Sequence, residues 1–284
     1  MIALERTPSV LASGLAFGEG PRWHAGRLWL SDMHAFQVVT VDLAGRLDRV
    51  LRVDGRPSGL GWLPDGSMLV VSMEERKLYR YDGRSLEMHA DLSAFAAHEI
   101  NDLVVDEGGL AYVSQFGYAF QKGAPFRKTE ILLVTPDGQV RVAASDLAFP
   151  NGMVITPDGR RLIVGESFAA RLTAFERKAD GALGDRRVFA KLSGAVPDGI
   201  CLDAEGCVWV ASPVSRECLR VREGGEIAER VRTETQAIAC MLGGEDRRTL
   251  FVLTSEVIDP VECQRRRSAR VEFVRVDVPG AGWP

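Results

Sequence analysis

Pro197-Asp198-Gly199-Ile200-Cys201-Leu202-Asp203-Ala204-Glu205-Gly206-Cys207-Val208-Trp209-Val210-Ala211-Ser212 decides the fold. Two apolar runs, 199–203 and 207–212, flank a turn whose glycine supplies the positive φ that a short hairpin demands. The unit recurs. Turns at His24-Ala25-Gly26, Pro64-Asp65-Gly66, Asp106-Glu107-Gly108-Gly109, Pro157-Asp158-Gly159 and Gly243-Gly244-Glu245-Asp246 each precede an apolar run, at 27–32, 67–72, 110–114, 161–166 and 249–254. Further strand-like runs lie before the turn, at 58–63, 101–105 and 152–156, and after it, at 37–41, 77–81, 131–134 and 172–175. Successive turns are about 40 to 50 residues apart, the period of a four-stranded blade. The copies therefore predict an all-β chain: a six-bladed β-propeller of four-stranded antiparallel blades around a central channel.

An α/β fold needs amphipathic helices of about ten or more residues between strands, and the one helix-tolerant stretch, 92–98, is short. A closed ring leaves no exposed edge if both termini complete the last blade, for which 271–276 and 9–11 are the candidates. With no low-complexity segment or linker, residues 1–284 read as a single domain.

Composition removes several classes of partner. Thirty-five basic against 39 acidic residues give a net charge of −4 with no block of either sign, which provides no footprint for nucleic acid or an anionic membrane. Arg265-Arg266-Arg267, the one basic cluster, reads as a solvated loop. No apolar run approaches the ~18 residues of a membrane span, and Glu5 and Arg6 interrupt the place of a secretory signal, so a cytoplasmic protein is expected. Five cysteines without a CxxC pair predict reduced, buried thiols rather than disulfides or a zinc site. The four histidines lack metal-site spacing.

The innermost strand of each blade begins at the channel mouth, and four blades offer an oxygen-bearing side chain there: Glu19, Asn101, Asn151 and Asp198. Two carboxylates on one axis are costly to bury without a cation. Oxygen-only ligation suits Ca²⁺, with Mg²⁺ or Mn²⁺ as alternatives and Zn²⁺ less suited for want of His or Cys. Taken singly, Pro150-Asn151-Gly152 and Pro197-Asp198-Gly199 are also ordinary turn tripeptides. Position separates them from Pro64-Asp65-Gly66 and Pro157-Asp158-Gly159, since they precede the inner strand rather than follow it.

Gly18-Glu19-Gly20-Pro21-Arg22-Trp23, Asn101-Asp102, Pro150-Asn151-Gly152 and Pro197-Asp198-Gly199, in that order and spacing, make the chain similar to the SMP-30/gluconolactonase/regucalcin-like six-bladed propellers. The resemblance implies one divalent metal held by Glu19, Asn151 and Asp198, with Asn101 near it and touching substrate. It also implies metal-dependent hydrolysis of a lactone or related ester, with Asp198 as the base.

One position departs from the sugar-lactonase pattern, in which an arginine often lies two residues before the asparagine matching Asn101; here it is Glu99. Phe116, Tyr118 and Phe120 lie nearby in sequence and Phe168 comes later, so a substrate less hydroxylated than an aldonolactone is expected, with Glu99, Phe116 and Tyr118 as substrate-binding candidates beside Asn101. Packing between blades is the plain alternative for these aromatics. Glu166 and His98 are secondary acid or base candidates. No GxSxG elbow supports a covalent serine route. The alternatives to a lactonase are a metal- or ligand-binding propeller without turnover, and a same-site hydrolase or lyase acting on a phosphoester or oxygen heterocycle. A small-molecule substrate and a monomer or weak homo-oligomer complete the expectation.

Overall fold

Every hairpin foreseen in the sequence forms, and each is extended outward by antiparallel strands into a blade. The computed structural model describes residues 3–283. Blade 1 comprises Gly18–His24, Arg27–Asp32, Gln37–Val41 and Leu47–Arg52; blade 2, Pro57–Trp62, Met68–Ser72, Lys77–Tyr81 and Leu86–Asp91. Blade 3 comprises Ile100–Val105, Ala111–Gln115, Thr129–Val134 and Val140–Leu147; blade 4, Pro150–Ile155, Arg161–Glu166, Arg171–Arg177 and Leu183–Lys191. Blade 5 runs Ile200–Leu202, Val208–Ser212, Glu217–Val221 and Ile227–Arg232, and a short fifth strand, Leu4–Arg6, lies parallel on its outer edge.

Blade 6 takes Gln236–Gly243, Thr249–Ser255 and Ala269–Arg275 from the C-terminal part and Ser9–Leu15 from the N-terminal part. Ser9 pairs opposite Phe273 and Leu15 opposite Ala269, so the ring is closed by hydrogen bonds between the two ends of the chain. The first strand of each blade packs beside the first strand of the next all the way round, which makes these six the lining of the channel.

Burial explains which strands were legible. Ile100–Val105, Pro150–Ile155 and Val208–Ser212 are buried at every position, so they read as apolar runs. Outer strands such as Leu47–Arg52 and Val140–Leu147 are only half covered and mix charge with apolar residues, a weaker pattern that sequence reading passed over. All five cysteines are free and buried, as foreseen.

The α-helix of the described residues lies outside the helix-tolerant stretch. Residues 92–98 form turns, anchored by buried Leu92 and Ala96, while Pro260–Arg266 is an α-helix. The Asp259 carboxylate accepts from the N–H groups of Val261 and Glu262, Pro260 opens the first turn, and Glu262 sits where a capping box places it. Arg265, Arg266 and Arg267 therefore end this helix rather than lying in a loop, and Glu262 pairs with the first two. No helix among the described residues is long and apolar enough to cross a membrane.

Residues 279–283 strap the end of the channel away from the mouth. Trp283 exchanges backbone hydrogen bonds of 2.8 and 3.1 Å with Ile155 of blade 4, Ala281 donates to Leu202 of blade 5, and Gly280 donates to Arg247 of blade 6. Gly282 has φ of +68°, and a Cβ there would lie 2.3 Å from the Ile155 carbonyl oxygen. Deleting residues from 279 onward removes ties worth about 1 kcal/mol each, so a fall of roughly 10 °C in Tm is expected by calorimetry. An unchanged Tm would show that the strap holds nothing.

Candidate functional site

A break in pairing presents the oxygens to the channel. In blades 2 to 4 the first strand slips against its neighbour between Pro57 and Leu60, Ile100 and Leu103, and Pro150 and Met153. Each bulge frees the residues it spans, Ser58, Asn101 and Asn151 among them, and bulges re-aim side chains. A similar slip follows Glu19 in blade 1. Asp198 stands just before Ile200–Leu202, its N–H bonded to the Ala211 carbonyl at 3.0 Å.

The glycines after Asn151 and Asp198 have a tertiary cause. A Cβ on Gly152 would lie 2.7 Å from the Ile200 nitrogen, and one on Gly199 2.4 Å from the Ala239 Cβ. Adjacent inner strands approach too closely for any side chain there. Pro150-Asn151-Gly152 and Pro197-Asp198-Gly199 thus belong to strand heads at the mouth rather than to hairpin turns.

The side chains form one hydrogen-bonded chain across four blades. Ser58 Oγ donates to Asn101 Oδ1 at 3.3 Å, Asn101 Nδ2 to Asn151 Oδ1 at 2.9 Å, and Asn151 Nδ2 to Asp198 Oδ1 at 2.6 Å. Ser167 Oγ lies 3.4 Å from Asn151 Nδ2 and donates to the Pro197 carbonyl at 2.7 Å. Ser58 was missed in the sequence, although Pro57-Ser58-Gly59 repeats the Pro-X-Gly pattern of Asn151 and Asp198.

Glu19 and Asp198 are half-buried. Burial, reinforced by Asp198 and then Asp102, pushes the Glu19 carboxyl well above its usual range, against a weak opposing hydrogen bond from the Gly20 N–H. Burial likewise pushes Asp198 up to about 7, the Asn151 hydrogen bond opposing and Asp102 adding to the rise. The nearest guanidinium is committed elsewhere: Arg22 binds Asp102 at 2.8 Å, the Leu103 carbonyl at 2.5 Å and the Pro21 carbonyl at 2.8 Å. Among the described residues neither Glu19 nor Asp198 has an ion-pair partner. Two carboxylates raised by burial, two carboxamides and a hydroxyl make an oxygen-only donor set with negative charge to spare, which fits a hard divalent cation.

The other candidates lie above this set or away from it. Glu99, Arg56 and Phe149 each sit two residues before a site residue, so they form a rim one step higher. Glu99 is half-buried and lines a rim cavity of about 530 Å³ with Arg56, Glu74, Arg76, His98 and Lys122. The guanidinium missing at position 99 is thus present on the adjacent blade: Arg56 bridges Glu74 at 2.9 Å and Gln121 at 2.8 Å. Phe116 and Tyr118 are buried under other aromatic rings, and Phe168 is exposed. Glu166 is fully buried and cannot meet a substrate. Its burial is outweighed by hydrogen bonds from Thr173, the Ala148 N–H and Arg171, which hold it below the usual range as a structural tether.

Comparison with known proteins gives the family. The chain is 28% identical to a 6-deoxy-6-sulfogluconolactonase of Pseudomonas putida over 98% of its length and 96% of the relative's. It is 24% identical to a pentonolactonase of Haloferax volcanii over 87% of this chain and 84% of that one. The crystal structure of a calcium-binding protein, regucalcin, from Agrobacterium tumefaciens superposes with a TM-score of 0.83 at 21% identity, covering 100% of this chain and 98% of that one. Since residues 17–256, nearly the whole ring, also match the region described as SMP-30/Gluconolactonase/LRE-like, the chain belongs to that family.

Proposed function

We propose that the protein is a divalent-metal-dependent lactone hydrolase. The observation that carries this reading is a pair of upshifted carboxylates with no ion-pair partner among the described residues, Glu19 and Asp198, of which Asp198 is hydrogen-bonded to Asn151 and through it to Asn101. The names of the two lactonase relatives support lactones as the substrate class, and the regucalcin likeness supports Ca²⁺ as the first cation to test.

Glu19, Asn151 and Asp198 would hold the cation, Asn151 through its carboxamide oxygen, since its NH2 group only donates. The chemistry such a cation would supply is Lewis acidity toward the ring carbonyl and compensation of the charge developing on its oxygen. Asp198 would take the proton of the attacking water. Asn151 fixes the Asp198 carboxylate through its 2.6 Å hydrogen bond, and Asn101, held at both ends by Ser58 and Asn151, orients the substrate. Asp102 stays out of the chemistry because Arg22 neutralises it.

The test is a panel of alkyl, aryl and sugar lactones assayed with Ca²⁺, Mg²⁺, Mn²⁺ and Zn²⁺ after chelation. Turnover that depends on a cation is expected. Equal turnover in chelator would remove the metal from the mechanism, and no turnover of any lactone would end the reading.

A further inference from the structure

The rim above the oxygen set is divided. Around Glu99 it is charged, but above Asn151 it is a cluster of six aromatic rings. Phe149, two residues before Asn151, lies between Phe116 and Phe168 with centroids 4.6 Å away on each side and interplanar angles of 17° and 25°. Its φ of +59° is a left-handed conformation that a bulky residue adopts only under constraint. Phe120 reaches Phe149 at 5.3 Å, and Phe126 lies 5.8 Å from Tyr118 and 5.7 Å from Phe168.

Packing explains only half of these rings. Phe116, Tyr118 and Phe149 are buried, but Phe120, Phe126 and Phe168 keep 41%, 47% and 46% of their surface in water. Three large apolar faces left exposed together mark a recognition surface. They share backbone with the oxygen set: Ser167, next to Phe168, donates its N–H to the Phe149 carbonyl at 3.0 Å, and its hydroxyl lies 3.4 Å from Asn151 Nδ2.

We propose that Phe120, Phe126 and Phe168 form the wall that receives the ring substituent, and that the substrate class is a lactone bearing an alkyl or aryl group. This rests on the lactone-hydrolase reading above. Hydroxyl groups laid on these rings would lose water without gaining a partner, whereas an apolar tail removes apolar surface from water on both sides. Burial of about 50 Å² per ring corresponds to roughly tenfold in affinity.

The test compares γ-nonalactone, which carries a five-carbon tail, with γ-butyrolactone, which has the same ring and no tail, and with D-gluconolactone, all under one metal. Wild type is expected to favour γ-nonalactone in kcat/KM by at least about tenfold over each. In Phe168→Gln and Phe120→Gln the nonalactone-to-butyrolactone ratio falls roughly tenfold through KM, and Phe168→Leu, which keeps apolar area, restores most of it. Turnover of γ-butyrolactone with no preference for the tail, a preference for D-gluconolactone, or a ratio indifferent to the glutamine variants overturns the wall while leaving the reaction standing. Hydrolysis of none of the three overturns both. If the glutamine variants alter the sedimentation coefficient and not the ratio, the rings belong to a contact between copies of the chain and the proposal fails.

Discussion

Asp198→Ala should leave a folded propeller that opens lactones at least about 10³-fold more slowly than wild type, because one change removes a ligand, a charge and the base. The companion Asp198→Asn keeps the shape and isolates the charge. Burial raises the Asp198 pKa from 3.8 to about 7, so the folded chain binds a proton that the unfolded chain releases at lower pH. The contribution of this group to the stability of the metal-free protein is therefore fully present below about pH 4 and is lost as pH rises through about 7. Asn cannot ionise, so at pH 8 in chelator Asp198→Asn should melt at or above the wild-type Tm while being nearly inactive. Loss of activity accompanied by a large fall in Tm would mean that Asp198 serves the fold. Wild-type kcat/KM in either variant would refute its place in the site.

The second large effect is metal removal. A cation present at about a hundredfold its Kd stabilises by roughly 2.7 kcal/mol, which in a chain of this size is about 5–10 °C in Tm. Chelated protein is expected to lose activity and that increment together, and Ca²⁺ to restore both. The increment should grow from pH 6 to pH 8, because the cation competes with protons at Glu19 and Asp198, both upshifted. Glu19→Gln should shrink it severalfold. Isothermal calorimetry and melting curves at the two pH values measure these effects. A Tm indifferent to Ca²⁺, Mg²⁺, Mn²⁺ and Zn²⁺ alike would remove the cation from the site.

Much of the candidate site's arrangement was legible because propeller symmetry turns sequence position into spatial position. Glu19, Asn101, Asn151 and Asp198 occupy equivalent strand heads, so a period of about 40 to 50 residues sufficed to converge them. Ser58 escaped because a hydroxyl before a glycine looks like any turn, though it ends the same hydrogen-bonded chain. The helix at Pro260–Arg266 escaped because a two-turn element leaves almost no periodicity; only its Asp-Pro-x-Glu cap announces it.

Burial pattern and turn chemistry are local, and the six blades, the strand heads and a ring closed by the two ends of the chain were readable from them, the closure expected at 9–11 and 271–276 and formed by 9–15 and 269–275. The rim was decided only in three dimensions. Which aromatics are buried and which face water depends on loops from different blades meeting above Asn151, and the left-handed turn at Phe149 has no signature in its neighbours' identities. The same holds for charge. Sequence places Glu99 where an arginine was expected, but only the ring geometry brings Arg56 into the same cavity, because residues 43 positions apart become neighbours when adjacent inner strands pack side by side.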